Sequence, residues 1–482
     1  MSFKRKALIL LALFVALTML FSCNKTDSNE NSEESVDNSS LEELSSSTNE
    51  ESSSEESSSL DEESSSLDEA FVGVTFSVDT SSSQRGFIDG SIVFRGIGGY
   101  FSLHFGNEDG KLENYTPISE RIAIPKRDVF EYELSSLILP PEATTIVVTG
   151  SSEEYVLSID SDYTLLGEDV FVFGALSDVH YNRYNYSGTG DDGVVYFDNA
   201  LDFLDGVGVD LVAIAGDISN NGKVSALTKY NSAIKDRSYP VYTVTGNHDV
   251  PAISSGDWVE YINTDIYDKT NTEVLEIAEN QLDFVYAPSD LDGDVFVFLS
   301  QVRWEYNTKE STILDSSQLE WLEDVLEKYK DETVYLFFHT FLCGTDGQKH
   351  TGVGNIKNPG GYTYDLPYTY GNTDEVEFRR LMKEYKNVVY FSGHSHWMFE
   401  MECYNEITNF SNFDGEYGYM VHVPSVTEPR YVSENASSRE SKNGEYSQGW
   451  IIYDYGDISI FLPVDFISGT YYTEYMEIVL NN

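Results

Sequence analysis

From residue 71 to about 165, apolar positions recur with period two. Val72, Val74, Phe76 and Val78 alternate with small or polar residues, as do Phe101, Leu103 and Phe105, then Phe130, Tyr132 and Leu134. Clusters of Gly, Ser, Asp and Pro separate the runs, at 81–86, at 106–110 and at Pro140-Pro141. Short half-buried strands at such spacing predict a small β-sandwich accessory domain over 71–165. The pattern changes near Val170, where the runs become continuously apolar: 170–175, 211–215, 241–245, 295–299, 334–338 and 388–391. Helical periodicity lies between them. Residues 196–204 form one such stretch. In a second, Ser317 and Glu320 suggest a capping box, and Leu319, Leu322, Leu326 and Tyr329 form one face. Apolar strands alternating with helices predict an α/β layered core over 166–482. Further strands are expected at 421–425 and 451–455, with a closing pair at 459–466 and 471–479.

The N-terminus reads differently. Lys4, Arg5 and Lys6 precede 15 almost wholly apolar residues, 7–21. That run is short against the ~20 residues of a membrane span and suits a signal sequence. It ends in Leu20-Phe21-Ser22-Cys23, which resembles the lipobox of bacterial lipoproteins; the plain alternative is a cleaved signal with an incidental cysteine. Residues 1–22 are thus expected to be a lipoprotein signal peptide, with lipid on Cys23. Residues 27–69 hold 17 Ser and 16 Asp or Glu among 43, with no Lys or Arg. Such a composition cannot offset its ordering entropy, so 23–70 is expected to be a disordered Ser/Glu-rich tether with a reach of ~35 Å. The expectation is an exported protein on the bacterial cell envelope, touching membrane through its anchor only.

Composition narrows the function. The chain has 482 residues, 40% hydrophobic and 14% aromatic, which excludes wholesale disorder. The net charge is −53, of which −12 falls on residues 1–70 and −41 on the rest. That field disfavours binding to nucleic acid and to anionic lipid surfaces. Cationic groups serving an anionic substrate must therefore be local, and metal ions would supply them. Three cysteines exclude a disulfide scaffold; Cys343 and Cys403 could pair or remain thiols.

The chemistry sits where the strands end. Asp178 and His180 follow the first run, Asp217 the second, and Asn247, His248 and Asp249 the third. His339 and then His394 and His396 follow two later runs. Five of the eight histidines belong to this set, and every donor atom in it is carboxylate O, amide O or imidazole N. That mixture suits Zn, Fe or Mn better than Ca or Mg.

The ordered blocks Asp-x-His, Gly-Asp, Gly-Asn-His-Asp, a lone His and Gly-His-x-His, from 178 to 396, resemble those of the calcineurin-like metallophosphoesterases. The resemblance covers roughly 170–465 and implies a four-layer α/β/β/α core. It also implies two divalent or trivalent metal ions. Asp178, His180, Asp217 and His396 would hold one, Asp217, Asn247, His339 and His394 the other, with Asp217 bridging. The activity implied is hydrolysis of a small phosphate ester by a hydroxide that both metals activate, mono- or diester being open. His248 would stabilise the transition state or protonate the leaving oxygen, and Asp249 would orient its ring. Arg183 is a candidate phosphate clamp. The Gly- and Tyr-rich loop 344–372, with Lys349, His350 and Lys357, is expected to rim the site. The rival is a non-catalytic surface-binding or adhesin lipoprotein on the same fold, which a missing ligand or a missing His248 would mark; none is missing. Oligomeric state is left open.

Overall fold

The computed structural model describes residues 72–183, 192–291, 293–303, 313–342, 373–401, 409–431, 440–441 and 444–481. The continuous apolar runs form two central sheets. In one, the order is Val241–Thr243, Leu211–Ile214, Phe171–Leu176, Gln448–Asp454, Ile458–Asp465, Thr470–Tyr471, with Glu477–Leu480 also on Ile458–Asp465. The first three of these strands are parallel, and Gln448–Asp454 joins them antiparallel. In the other, the order is Val274–Ile277, Phe284–Tyr286, Val295–Phe298, Val334–Phe337, Val388–Ser392, Tyr419–His422, Phe410–Ser411, with four parallel strands in its middle.

Strand residues are buried on both sides because each sheet is covered twice. Alternate side chains therefore enter different cores. Phe173, Phe296, Phe298, Tyr335, Phe337 and Phe391 meet between the sheets, while Val172, Leu176, Val297, Leu336 and Tyr390 point to helices. The inter-sheet layer is largely aromatic, with Phe173 edge-on to Phe296 at 4.9 Å between ring centroids and to Tyr335 at 5.0 Å. Helices Asp192–Val207 and Val224–Ile234 cover the first sheet, through Phe197, Leu201, Leu204, Leu227 and Tyr230. Helices Ser316–Lys328 and Thr373–Glu384 cover the second, through Leu319, Leu322, Leu326, Phe378 and Leu381. The result is the four-layer α/β/β/α arrangement.

The predicted helix face is confirmed, but its cap is shifted two residues. Asp315, not Ser317, is the N-cap, and its N–H donates to Gln318 Oε1 at 3.0 Å. Gln318 prevails over Glu320 because it is also needed inside, where its Nε2 donates to Asp283 Oδ2 at 2.8 Å and to the Ser300 carbonyl at 2.9 Å.

The period-two region forms two antiparallel sheets. Gly73–Val78, Phe87–Arg95 and Val129–Ile138 make one; Gly99–Asn107 carries the other, with Thr145–Thr149, Ser119–Ile124, Gly110–Lys111 and Glu154–Ser158. Ile92, Phe94, Leu103, Phe105, Ile146 and Val148 are buried in their core. This region belongs to the same compact unit as the layered core, Asp68–Asn482. Tyr115 stacks on Tyr471 with centroids 4.7 Å apart, and Thr116 N–H donates to the Tyr471 carbonyl at 2.9 Å. Among the described residues no helix is long and apolar enough to cross a membrane. Cys23, the signal-like run and the tether lie outside the described residues.

Asp283 ties strand to strand to helix. It is buried, and it accepts from Ser300 N–H at 2.7 Å, Asn280 Nδ2 at 2.6 Å and the Gln318 amide. Burial outweighs these bonds and raises its pKa to about 6. An acid raised above its unfolded value of ~3.9 binds protons more readily when folded, so it costs stability as pH rises from ~4 to ~6. Asp283→Asn should remove that slope. The stability difference, variant minus wild type, should then rise by on the order of 2–3 kcal/mol across that window in urea titrations. A flat difference would contradict the assignment.

Candidate metal centre

All five motif loops leave the carboxyl ends of the parallel strands and converge on the edge shared by the two sheets. Backbone bonds knit them together. Asp178 N–H donates to the Gly216 carbonyl at 3.1 Å, His180 N–H to the Asp217 carbonyl at 2.9 Å, and Gly393 N–H to the His339 carbonyl at 3.0 Å. His394 N–H crosses between sheets to Asp178 Oδ2 at 2.9 Å.

The loops are tight. Asp178, His180, Asp217, His394 and His396 all have φ between 52° and 72°. That region costs L-residues with a Cβ ~1–2 kcal/mol each, and such residues cluster at functional sites. The motif glycines are required by contact. A Cβ on Gly393 would lie 1.8 Å from Ser177 Oγ and 2.6 Å from Asp178 Oδ2, and one on Gly246 would lie 2.1 Å from Asp217 Oδ1.

The side chains meet as the sequence predicts. His396 Nε2 is 2.9 Å from Asp178 Oδ1 and 3.1 Å from His180 Nε2. His339 Nε2 is 3.3 Å from Asp217 Oδ2 and 3.2 Å from Asn247 Oδ1, and His394 Nδ1 is 3.0 Å from the same Asn247 oxygen. Each of these seven residues is buried. Three groups have ligand atoms within 4.8 Å of one another: Asp178, His180 and His396; Asp178, Asp217 and His339; and His180, Asp217 and His248. Asp178 Oδ1 and Asp217 Oδ2 are buried and accept no hydrogen bond. Buried carboxylate oxygens gathered with imidazole nitrogens and an amide oxygen fit a cation site.

The electrostatics agree. Burial would raise both aspartates, but the facing histidines hold them far below the usual carboxylate range. Burial would lower His339 and His396; Asp217 raises the first and Asp178 the second, each to about 9. Burial dominates at His180 and His394, lowering them to about 4 and about 3. The buried carboxylates thus favour positive charge on the two histidines that face them. Metal ions would supply that charge instead, because a ligating imidazole must be neutral.

One expected role is corrected. Asp249 does not orient the His248 ring; His248 Nδ1 lies 3.0 Å from the Asn220 carbonyl instead. Asp249 is turned inward. It accepts from Ser219 N–H at 2.9 Å, Ser219 Oγ at 2.7 Å, Ile218 N–H at 3.2 Å and Gly246 N–H at 3.1 Å, clamping two motif loops together. Burial and then Asp217 raise it to about 7. Arg183 is not presented alone as a clamp. It pairs with Glu428, which also lies 3.1 Å from His396 Nδ1 and 3.2 Å from Arg430. His248 comes closer to the centre than expected, joining His180 and Asp217 in one group. His350, Cys343, Cys403 and the loop 344–372 lie outside the described residues.

The motif reading misses Asn220 and the segment 425–430. Ser425 Oγ and Thr427 Oγ1 each donate to the Asp178 carbonyl at 3.0 Å, and Arg430 N–H donates to the His396 carbonyl at 2.7 Å. The signal was present: the strand Tyr419–His422 also ends at this edge, so the loop after it belongs to the same site.

Residues 171–398 match the family model described as calcineurin-like phosphoesterase. A probable glycerophosphodiester phosphodiesterase of Arcobacter nitrofigilis is 28% identical over 130 residues, 27% of this chain and 41% of that protein. A probable cyclic nucleotide phosphodiesterase of Fibrobacter succinogenes is 29% identical over 196 residues, 39% of this chain and 58% of that protein. The chain thus spans about half the length of these curated relatives. A purple acid phosphatase from yellow lupin (Lupinus luteus) seeds aligns in structure at 13% identity and a TM-score of 0.40, over 83% of this chain and 73% of that one.

Gly393→Ala tests the packing. Its Cβ has no room beside Ser177 and Asp178, so metal affinity should fall by ~10–100-fold, the size expected when a ligand's surroundings shift. Helix content by circular dichroism should be retained. Unchanged affinity by calorimetry would show that the loops are looser than this geometry.

Proposed function

We propose that this protein hydrolyses a phosphate ester with two metal ions held by the motif loops. The observation that carries the reading is the meeting of Asp178 Oδ1 and Asp217 Oδ2, both buried, with the imidazole nitrogens of His180 from one sheet and of His339 and His396 from the other. Asp178, His180, Asp217 and His396 would hold one ion, and Asp217, Asn247, His339 and His394 the other. When bound, the ions would supply Lewis-acid neutralisation of the phosphoryl oxygens and a lowered pKa for water.

The chain's own residues do the rest. Asn220 fixes the His248 ring through Nδ1, so Nε2 is the atom that would give a proton to the leaving oxygen. Asp249 keeps the loops carrying Asp217 and His248 in register. Arg183, paired with Glu428 beside His396, would sit at the phosphate end of the substrate. A diester is the first substrate to try, because the names of both curated relatives are those of phosphodiesterases.

Bis-p-nitrophenyl phosphate and p-nitrophenyl phosphate, each with and without chelator, test the activity. Turnover that chelator abolishes and Mn, Zn or Fe restores is expected, and Asp217→Asn should abolish it and empty both sites. Chelator-resistant turnover, or none with any of these metals, would overturn the reading.

His248→Ala should keep both metals and lower kcat by ~10²–10⁴. Esters with poor leaving groups should lose most, since they need the proton. Equal loss across leaving groups would make His248 an electrostatic stabiliser instead.

We also propose export and anchoring through lipid on Cys23, supported by Lys4–Lys6, the apolar run and Ser22-Cys23. Fatty-acid labelling of the wild type that vanishes in Cys23→Ala is the expected result; an unlabelled wild type would exclude the anchor.

A further inference from the structure

Glu428 is 7% exposed, and it lies outside the 171–398 family match. It ends the loop that follows the strand Tyr419–His422, the next parallel neighbour of the strand bearing His394 and His396. Its Oε2 lies at an ion-pair distance of 3.1 Å from His396 Nδ1, a buried ring nitrogen that has no partner of hydrogen-bonding geometry among the described residues. The opposite ring nitrogen, Nε2, faces Asp178 Oδ1 at 2.9 Å. The carboxylate is itself pinned, by Arg183 through Oε1 and by Arg430 through Oε2, and its N–H donates to Ser425 Oγ at 2.8 Å. Two residues on, Arg430 N–H holds the His396 carbonyl at 2.7 Å. One short segment therefore grips His396 at both ring and backbone.

We infer that Glu428 is the positioning residue of His396. It keeps the proton on Nδ1 and so presents the Nε2 lone pair to the cation beside Asp178. A carboxylate behind a ligating imidazole fixes its tautomer and orientation and raises its basicity. Burying that carboxylate would be costly unless it were paired, and Arg183 and Arg430 supply the pairing. On this account Arg183 acts through Glu428, which explains why it is not free to clamp a phosphate alone. The inference rests on the proposed two-metal reading.

The test uses metal alone, without substrate. The full-length chain is stripped with chelator and titrated with Co²⁺, following both the chelator-competition affinity and the visible d–d spectrum. Wild type should take up two ions. Glu428→Ala should weaken one of the two sites ~10–100-fold and change its spectrum, leaving the other unaltered. Glu428→Gln, whose amide oxygen can still accept from Nδ1–H, should restore most of the affinity. Two sites of wild-type affinity and spectrum in Glu428→Ala would overturn the inference while leaving the two-metal reading intact. A wild type that binds no Co²⁺ would overturn both. Should Glu428→Ala fail to fold, Zn²⁺-loaded wild type decides by nitrogen NMR. The His396 Nδ1–H proton should be visible and protected from exchange; protonation at Nε2 would overturn the assignment.

Discussion

Two carboxylates buried side by side set the terms for this molecule. Asp178 and Asp217 come from adjacent parallel strands, both almost wholly shielded from water. Their charge cannot be left alone in a protein interior, because desolvation of an unpaired ion is far costlier than any packing gain nearby. Everything within reach answers it. Their charge raises the pKa of His339 and His396, backbone N–H groups of His248 and His394 donate to one oxygen of each carboxylate, and the other oxygens face the two imidazoles. Cations satisfy this arrangement with few further demands.

The same constraint explains the backbone. Bringing five loops to one point from two sheets leaves little room for ordinary turns, so five of the seven ligand-bearing residues adopt left-handed φ and the glycines between them lie against neighbouring side chains. The strain is local and must be offset elsewhere. The aromatic layer between the sheets is well placed to do that. Phe337 and Phe391, on the strands leading to His339 and His394, stack with centroids 4.5 Å apart and planes within 2°. Directly below the loops the scaffold is therefore rigid, as a site requiring sub-ångström placement needs.

Most of the site was legible in the sequence because a single rule governs it: an apolar strand followed at once by Asp, Asn or His. Where placement depended on the strand end alone, as for Asp217 and His339, the structure brings the side chains together. Where it depended on which neighbour lies behind, sequence adjacency misled. Asp249 follows His248 directly, yet the turn into the helix Val250–Ser255 aims its carboxylate at Ser219, and a backbone carbonyl takes its expected place. Glu428 carries no motif; only the parallel pairing of Tyr419–His422 with Val388–Ser392 brings it behind His396. The capping box slipped for a similar reason, since Gln318 is chosen by a buried contact with Asp283 that helix propensity does not report.

The central claim is that this edge of the two sheets holds two cations around Asp217. Anomalous diffraction at the absorption edge of the metal found in the purified protein tests it most directly. The account predicts two peaks, one beside His180 and His396 and one beside His339, His394 and Asn247, with the Asp217 carboxylate between them. A single peak, or two that both lie away from Asp217, would contradict it.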